Sequence, residues 1–175
     1  MKKISAEMLR NLPEVNETIS PQRIKMKIKR FRHVALIVKD MNTILDFYTT
    51  VFGCMIKRDF EIDSEEFQKG IGIENGSARC VHLILPNSDV EIELFQFYHP
   101  VPIAVSKQQI NDLGIRHFSL IIDNMDEAIC ELKLKGVELH SEPIRFEKPK
   151  EIKGFCFVYI KDPEGNIIEL NELPG

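Results

Sequence analysis

The sequence has no long apolar run. Its longest uninterrupted apolar stretches have the length of a strand, as in Val34–Val38, and none reaches the 18 residues that suggest a membrane helix. Ser5, Glu7 and Arg10 interrupt the N-terminus before an apolar segment can form, which argues against a secretory signal. The sequence therefore predicts a cytoplasmic protein without a membrane partner.

Cysteine is also scarce, and acidic residues outnumber basic ones. The four cysteines form no C-x-x-C pair, so they are expected to be reduced core residues rather than zinc ligands. A net charge of −4 gives no general attraction to nucleic acid. Only residues 1–30 are basic, with eight Lys or Arg against three Glu. The content of 43% hydrophobic and 29% charged residues is that of a globular domain and excludes a disordered chain.

The chain contains an internal repeat. Residues 31–41 (FRHVALIVKDM) and 115–125 (IRHFSLIIDNM) are identical at five of eleven positions. A second match pairs residues 80–94 with 156–170, where Cys80 aligns with Cys156 and Glu93 with Glu169. The two matches come in the same order, which indicates a duplicated structural unit.

Each copy has the same predicted elements. A β-branched run is followed by a helical pattern, capped by Asn42 in the first copy and by Asp126 in the second, with Gly53 and Gly136 past the helix ends. Three strands then follow in each copy, predicted at 55–60, 79–85 and 90–97, and at 138–141, 154–160 and 167–171. The prediction is an α+β fold of two βαβββ modules in tandem. We assign residues 1–30 to a basic extension, 31–98 to module 1, 99–114 to a connector and 115–175 to module 2.

Strand periodicity places one His and one Glu on the same face in each module. Because successive strand residues face opposite sides, His33 lies opposite the bulky apolar residues that should carry the helix, and so does Glu93. His117 and Glu169 occupy the matching places in the second module. His82 could line the same face, although a structural role is favoured for it.

Two His and two Glu suit a divalent first-row metal and leave coordination positions open for substrate. A single His in a strand, or a Glu that alternates with Ile and Leu, is usually structural or solvated. The recurrence of the set in both modules favours a site, although a duplicated gene also repeats structural residues.

These motifs resemble the vicinal-oxygen-chelate superfamily, which contains glyoxalase I, methylmalonyl-CoA epimerase, extradiol dioxygenases and resistance proteins. The resembling segments are HVALIVKD at 33–40, EIELF at 91–95, RHFSL at 116–120, DPEGN at 162–166 and IEL at 168–170. The resemblance covers residues 31–172 and implies curled mixed sheets around a metal cavity.

The resemblance also implies the ligands and the chemistry. His33, Glu93, His117 and Glu169 match the metal ligands of the glyoxalase I pattern, for one divalent ion such as Zn, Ni, Co, Mn or Fe. The implied reaction is proton abstraction next to a carbonyl through a metal-bound enediolate, as in a lyase or an isomerase, acting on a small molecule. Glu169 is the preferred base and Glu93 the second choice. A homodimer is expected. An extradiol-type dioxygenase and a non-catalytic small-molecule binding protein are the alternatives.

Overall fold

A computed structural model describes residues 27–103 and 109–174. The predicted basic extension lies outside the described residues, except for residues 27–30, and so does part of the predicted connector. The elements fall within one compact unit that spans residues 31–175. The longest described helix has 12 residues, and no helix in the described ranges is long and apolar enough to cross a membrane.

Module 1 contains four strands and two helices, which are β1 (His33–Ile37), α1 (Met41–Phe52), β2 (Met55–Ile62), α2 (Glu65–Ile71), β3 (Ser77–Ile84) and β4 (Glu91–His99). The described part of module 2 contains a short 3₁₀ helix (Lys150–Ile152), four strands and one α-helix, which are β5 (His117–Ile121), α3 (Met125–Leu134), β6 (Ile144–Arg145), β7 (Cys156–Lys161) and β8 (Ile167–Glu172). Their sheets have the same strand order, β1-β4-β3-β2 and β5-β8-β7-β6. In each sheet the first strand runs parallel to the last, and the others are antiparallel. The predicted tandem α+β modules with mixed sheets are confirmed.

The helix caps differ from the sequence prediction. Asp40, not Asn42, caps α1 by accepting from two backbone N–H groups at 3.0 and 3.2 Å. Asn124, not Asp126, caps α3 by accepting from the N–H of Glu127 at 3.2 Å. Both predicted caps were two residues too late, because Asp and Asn cap equally well and occur at both places.

Two elements were also misplaced or missed. The strand predicted at 138–141 is reduced to a single bridge between Leu139 and Ile160, and the edge strand of this sheet is β6. Helix α2 was not predicted. Its N-cap is Ser64, whose hydroxyl accepts from the N–H of Phe67 at 3.3 Å, and it ends at Gly72 in the left-handed conformation that glycine favours.

The helix-bearing faces of the two sheets share one hydrophobic core. Fully buried members come from both modules, namely Met41, Ile44, Tyr48, Leu83, Ile92, Leu94, Met125, Val158, Ile160, Ile168 and Leu170. The Tyr48 hydroxyl donates across the modules to the buried Asp162 carboxylate at 3.3 Å. The N–H groups of Lys39 and Asp40 donate to Glu164 at 2.7–2.9 Å. Because the helix sides meet, the helix-free faces of both sheets are turned away from the shared core.

Candidate active site

The structure brings together one His/Glu pair in each module. Strands β1 and β4 pair in a register that sets Ala35 beside Glu93, and β5 and β8 set Ser119 beside Glu169. His33 Nε2 lies 3.4 Å from Glu93 Oε2, and His117 Nε2 lies 3.4 Å from Glu169 Oε2. The repeated register thus produces the same donor separation twice.

The two pairs do not join into one four-ligand cluster within the described part of the chain. Each pair lies on the helix-free face of its own sheet, on the side away from the shared core. In residues 27–103 and 109–174, the one set of three His, Cys, Asp or Glu ligand atoms within 4.8 Å of one another is Cys80, His82 and Glu93. Within the described part of one chain, the four predicted ligands are thus divided into two separate pairs.

The separation within each pair fits a bound cation. Two donors that are each about 2.1 Å from a tetrahedral ion lie about 3.4 Å apart. The side chains are accessible, since His33 and His117 are about one third exposed and the two Glu side chains are less so. His33 Nδ1 is buried and has no hydrogen-bond partner among the described residues. Imidazole nitrogen and carboxylate oxygen are the donor types that first-row divalent ions accept, so the residues fit a metal ion.

A chain of polar contacts runs behind Glu93. Its Oε1 lies 3.2 Å from Nε2 of His82, and Nδ1 of the same ring lies 2.8 Å from Oε2 of Glu91. Glu91 also accepts from Lys57 Nζ at 2.5 Å. Hydrogen bonds from Lys57 and His82 lower the pKa of the Glu91 carboxyl to about 2. Glu93 is thereby held between two imidazoles in the first module.

Tyr159 takes the place of His82 in the second module. It stands directly opposite Glu169 across the β7–β8 pairing, as His82 stands opposite Glu93, and its ring lies edge-on to His117 with centroids 5.3 Å apart. Burial raises the pKa of Tyr159, and the Glu169 carboxylate beside it raises this pKa further. Tyr159 was missed in the sequence because no repeated residue marks it. The signal that was present is its alternation with Val158 and Ile160, which places it on the helix-free face of β7.

The sequence repeat aligns Cys80 with Cys156, but the strand pairing makes Phe157, one residue later, the structural equivalent of Cys80. Cys80 lies on the helix-free face with His82, whereas Cys156 belongs to the shared core on the helix side. The equivalent residues by strand pairing are therefore His82 and Tyr159. The aligned cysteines are a coincidence of composition.

Aromatic side chains border both pairs. Phe95 and Phe97 follow Glu93 on the same face and stack on each other at a centroid distance of 5.7 Å. Both also stack with Phe67 of α2, at 6.1 and 6.3 Å. Phe146, Phe155 and Phe157 form a similar stack in module 2. Both open faces thus offer an apolar wall next to polar ligands, as small-molecule sites commonly do.

Comparison with known proteins identifies the family to which this two-module fold belongs. Residues 30–170 match the Glyoxalase/Bleomycin resistance protein/Dioxygenase superfamily, and the chain belongs to that superfamily. Its structure is similar to that of a glyoxalase family protein from Bacillus cereus, with a TM-score of 0.76 at 24% identity over 86% of this chain and 98% of the other.

Three further relatives are 25–31% identical to this chain. The protein YwkD of Bacillus subtilis is 31% identical over 84% of this chain and 99% of its own length. A lactoylglutathione lyase of Arabidopsis thaliana is 28% identical over 81% of this chain, which spans 44% of that longer protein. The human mitochondrial methylmalonyl-CoA epimerase is 25% identical over 82% of this chain and 73% of its own length. The relatives named for an activity are thus a lyase and an isomerase.

Proposed function

We propose that the protein is a metal-dependent lyase or isomerase that removes a proton next to a carbonyl group of a small molecule. The observation that carries this proposal is the His/Glu pair found at 3.4 Å in both modules, in the same strand register. A lyase and an epimerase among the relatives support it. Both names describe reactions on small carbonyl or acyl compounds.

We assign the metal to His33, Glu93, His117 and Glu169. When bound, the divalent ion would polarise the substrate oxygen and so acidify the neighbouring C–H bond. Each module supplies two donors, whereas catalytic ions are held by three or more protein ligands. One module alone is therefore an incomplete site.

A homodimer completes the site in this proposal. The first module of one protomer would face the second module of its partner, so that His33 and Glu93 meet the partner subunit's His117 and Glu169. A twofold axis then creates two equivalent sites. Exposed apolar side chains support the pairing, because Ile37 is 51% exposed and Ile121 is 69% exposed at matching ends of the two open faces.

Glu169 is the proposed base. Glu93 lies between the imidazoles of His33 and His82, whose Nε2 atoms are 3.4 and 3.2 Å from its two oxygens. Glu169 instead faces the imidazole of His117 and the phenol of Tyr159. In this proposal Glu169 takes a proton from the substrate carbon and returns it to another carbon or to the opposite face, the role that the resemblance to the glyoxalase I pattern implies. Glu93 remains the second choice.

Elemental analysis followed by activity assays tests this function. The purified protein should hold at least about one divalent ion per chain and turn over either methylglyoxal plus a thiol or acyl-CoA epimers. Glu169→Gln should lower turnover by about 10²-fold or more, since general-base catalysis contributes that much. Glu138→Gln, at an exposed position, is the matched control. Absence of bound metal, together with full activity of Glu169→Gln, would refute the proposal. Oxygen consumption with Fe(II) would support the dioxygenase alternative instead.

A further inference from the structure

A compact group of metal-ligand atoms lies beside the proposed active site. Cys80, His82 and Glu93 each offer one donor atom, and these three atoms lie within 4.8 Å of one another. Cys80 is 2% exposed and His82 is 3% exposed. All three belong to β3 and β4 of module 1, and the strand pairing sets His82 directly opposite Glu93. This group is complete within one chain.

The ring of His82 is oriented as a metal-binding imidazole would be. Its Nδ1 lies 2.8 Å from the buried Glu91 carboxylate, and Lys57 anchors the other oxygen of that carboxylate. Metal-bound histidines usually donate their second ring N–H to such a carboxylate, which fixes the tautomer. In that tautomer Nε2 carries the lone pair, and Nε2 lies 3.2 Å from Oε1 of Glu93. Two electron-rich atoms facing each other at this distance are a natural pair of ligands for a cation.

We propose that Cys80, His82 and Glu93 form a second cation site, which takes a thiophilic divalent ion such as Zn²⁺. Sulfur, nitrogen and oxygen donors together suit this ion, and three protein ligands leave one coordination position open. The ligands need to draw together by about 1 Å, since tetrahedral donors lie about 3.4–3.8 Å apart. On binding, the Cys80 thiol releases its proton to solvent and coordinates as the thiolate.

This site is distinct from the proposed active site. It uses Oε1 of Glu93, whereas Oε2 faces His33, and it needs neither His117 nor Glu169. It also contains sulfur, which the proposed catalytic set lacks. The described part of the second module has no counterpart, because the residues corresponding to Cys80 and His82 by strand pairing are Phe157 and Tyr159.

Titration with Cd²⁺ tests the second site, because a Cd²⁺–thiolate bond gives a charge-transfer absorption band in the ultraviolet. The full chain should develop this band to a stoichiometry of about one per chain, and excess Zn²⁺ should remove it. Cys80→Ser should abolish the band, whereas Cys156→Ser, at an equally buried cysteine, should keep it. His82→Gln should weaken Cd²⁺ binding at least tenfold.

Two further measurements distinguish a failure of this inference from a failure of the proposed function and from misfolding of a variant. The double variant His117→Ala/Glu169→Gln should lose the proposed catalytic metal but keep the thiolate band, so either proposal can fail alone. If Cys80→Ser does not fold, the ¹¹³Cd NMR shift of the unmodified protein reports whether one sulfur is coordinated. The inference is overturned if no thiolate band or sulfur-type shift develops, or if the band survives in Cys80→Ser.

Discussion

Removal of the Glu91 carboxylate should destabilise the protein more than removal of any exposed acidic partner. Glu91 is 7% exposed and accepts from both His82 and Lys57. Hydrogen bonds to charged groups contribute about 1.5–3 kcal/mol each, but the Lys57 contact is partly screened because that side chain is 40% exposed. We therefore expect Glu91→Ala to lower the free energy of unfolding by about 2–4 kcal/mol.

The matched control is an ion pair on the surface of the same module. Glu65 and Lys69 lie 2.9 Å apart on α2, with side chains 81% and 76% exposed. Glu65→Ala should cost no more than about 0.5 kcal/mol. Urea unfolding of both variants at neutral pH, with equal m-values, gives the comparison. If Glu91→Ala and Glu65→Ala lower the free energy of unfolding by amounts that agree within about 0.5 kcal/mol, the view that the buried network stabilises module 1 is refuted.

Three other predictions concern the module contact, the pH dependence and the dimer. Tyr48→Phe should cost about 1 kcal/mol in thermal unfolding, because Asp162 loses one of its donors; no cost would contradict the cross-module bond. Arg79 lowers the pKa of Asp59, so the stability that this pair adds should be present above about pH 4 and disappear as the pH falls below it. The difference in the free energy of unfolding between the unmodified protein and Asp59→Asn should therefore shrink as the pH falls. A difference that stays constant from pH 6 to 3 would contradict this prediction. Ile121→Asp should shift sedimentation equilibrium toward the monomer without changing monomer stability.

The sequence predicted the features that depend on the regular spacing of residues along a strand or on the internal repeat. Alternating residues in β4 and β8 placed Glu93 and Glu169 on the helix-free faces, because a side chain's face is set by parity along a strand. The repeat then predicted the same topology twice. Both results follow from local geometry and need no knowledge of distant contacts.

Features that depend on contacts between strands could not be predicted from the sequence in the same way. The contact of His82 with Glu91 and Glu93 arises from the β3–β4 register, and that register also separates Cys80 from its sequence match Cys156. A one-residue change in register reverses the face of every side chain, so identity between repeats misled the cysteine alignment. The helix-free faces of both sheets are turned away from the shared core because of how the modules pack together, which neither repeat alone reveals.

The most direct test of the shared site is complementation between two defective chains. One chain carries His33→Ala/Glu93→Gln and the other carries His117→Ala/Glu169→Gln, and each alone should bind no catalytic metal. After the two are unfolded, mixed and refolded together, random pairing makes half of the dimers mixed, and each mixed dimer has one intact site. The account predicts recovery of about one ion per four chains, with matching activity. Metal content and activity that stay at the level of the separate variants would contradict a site built from two copies.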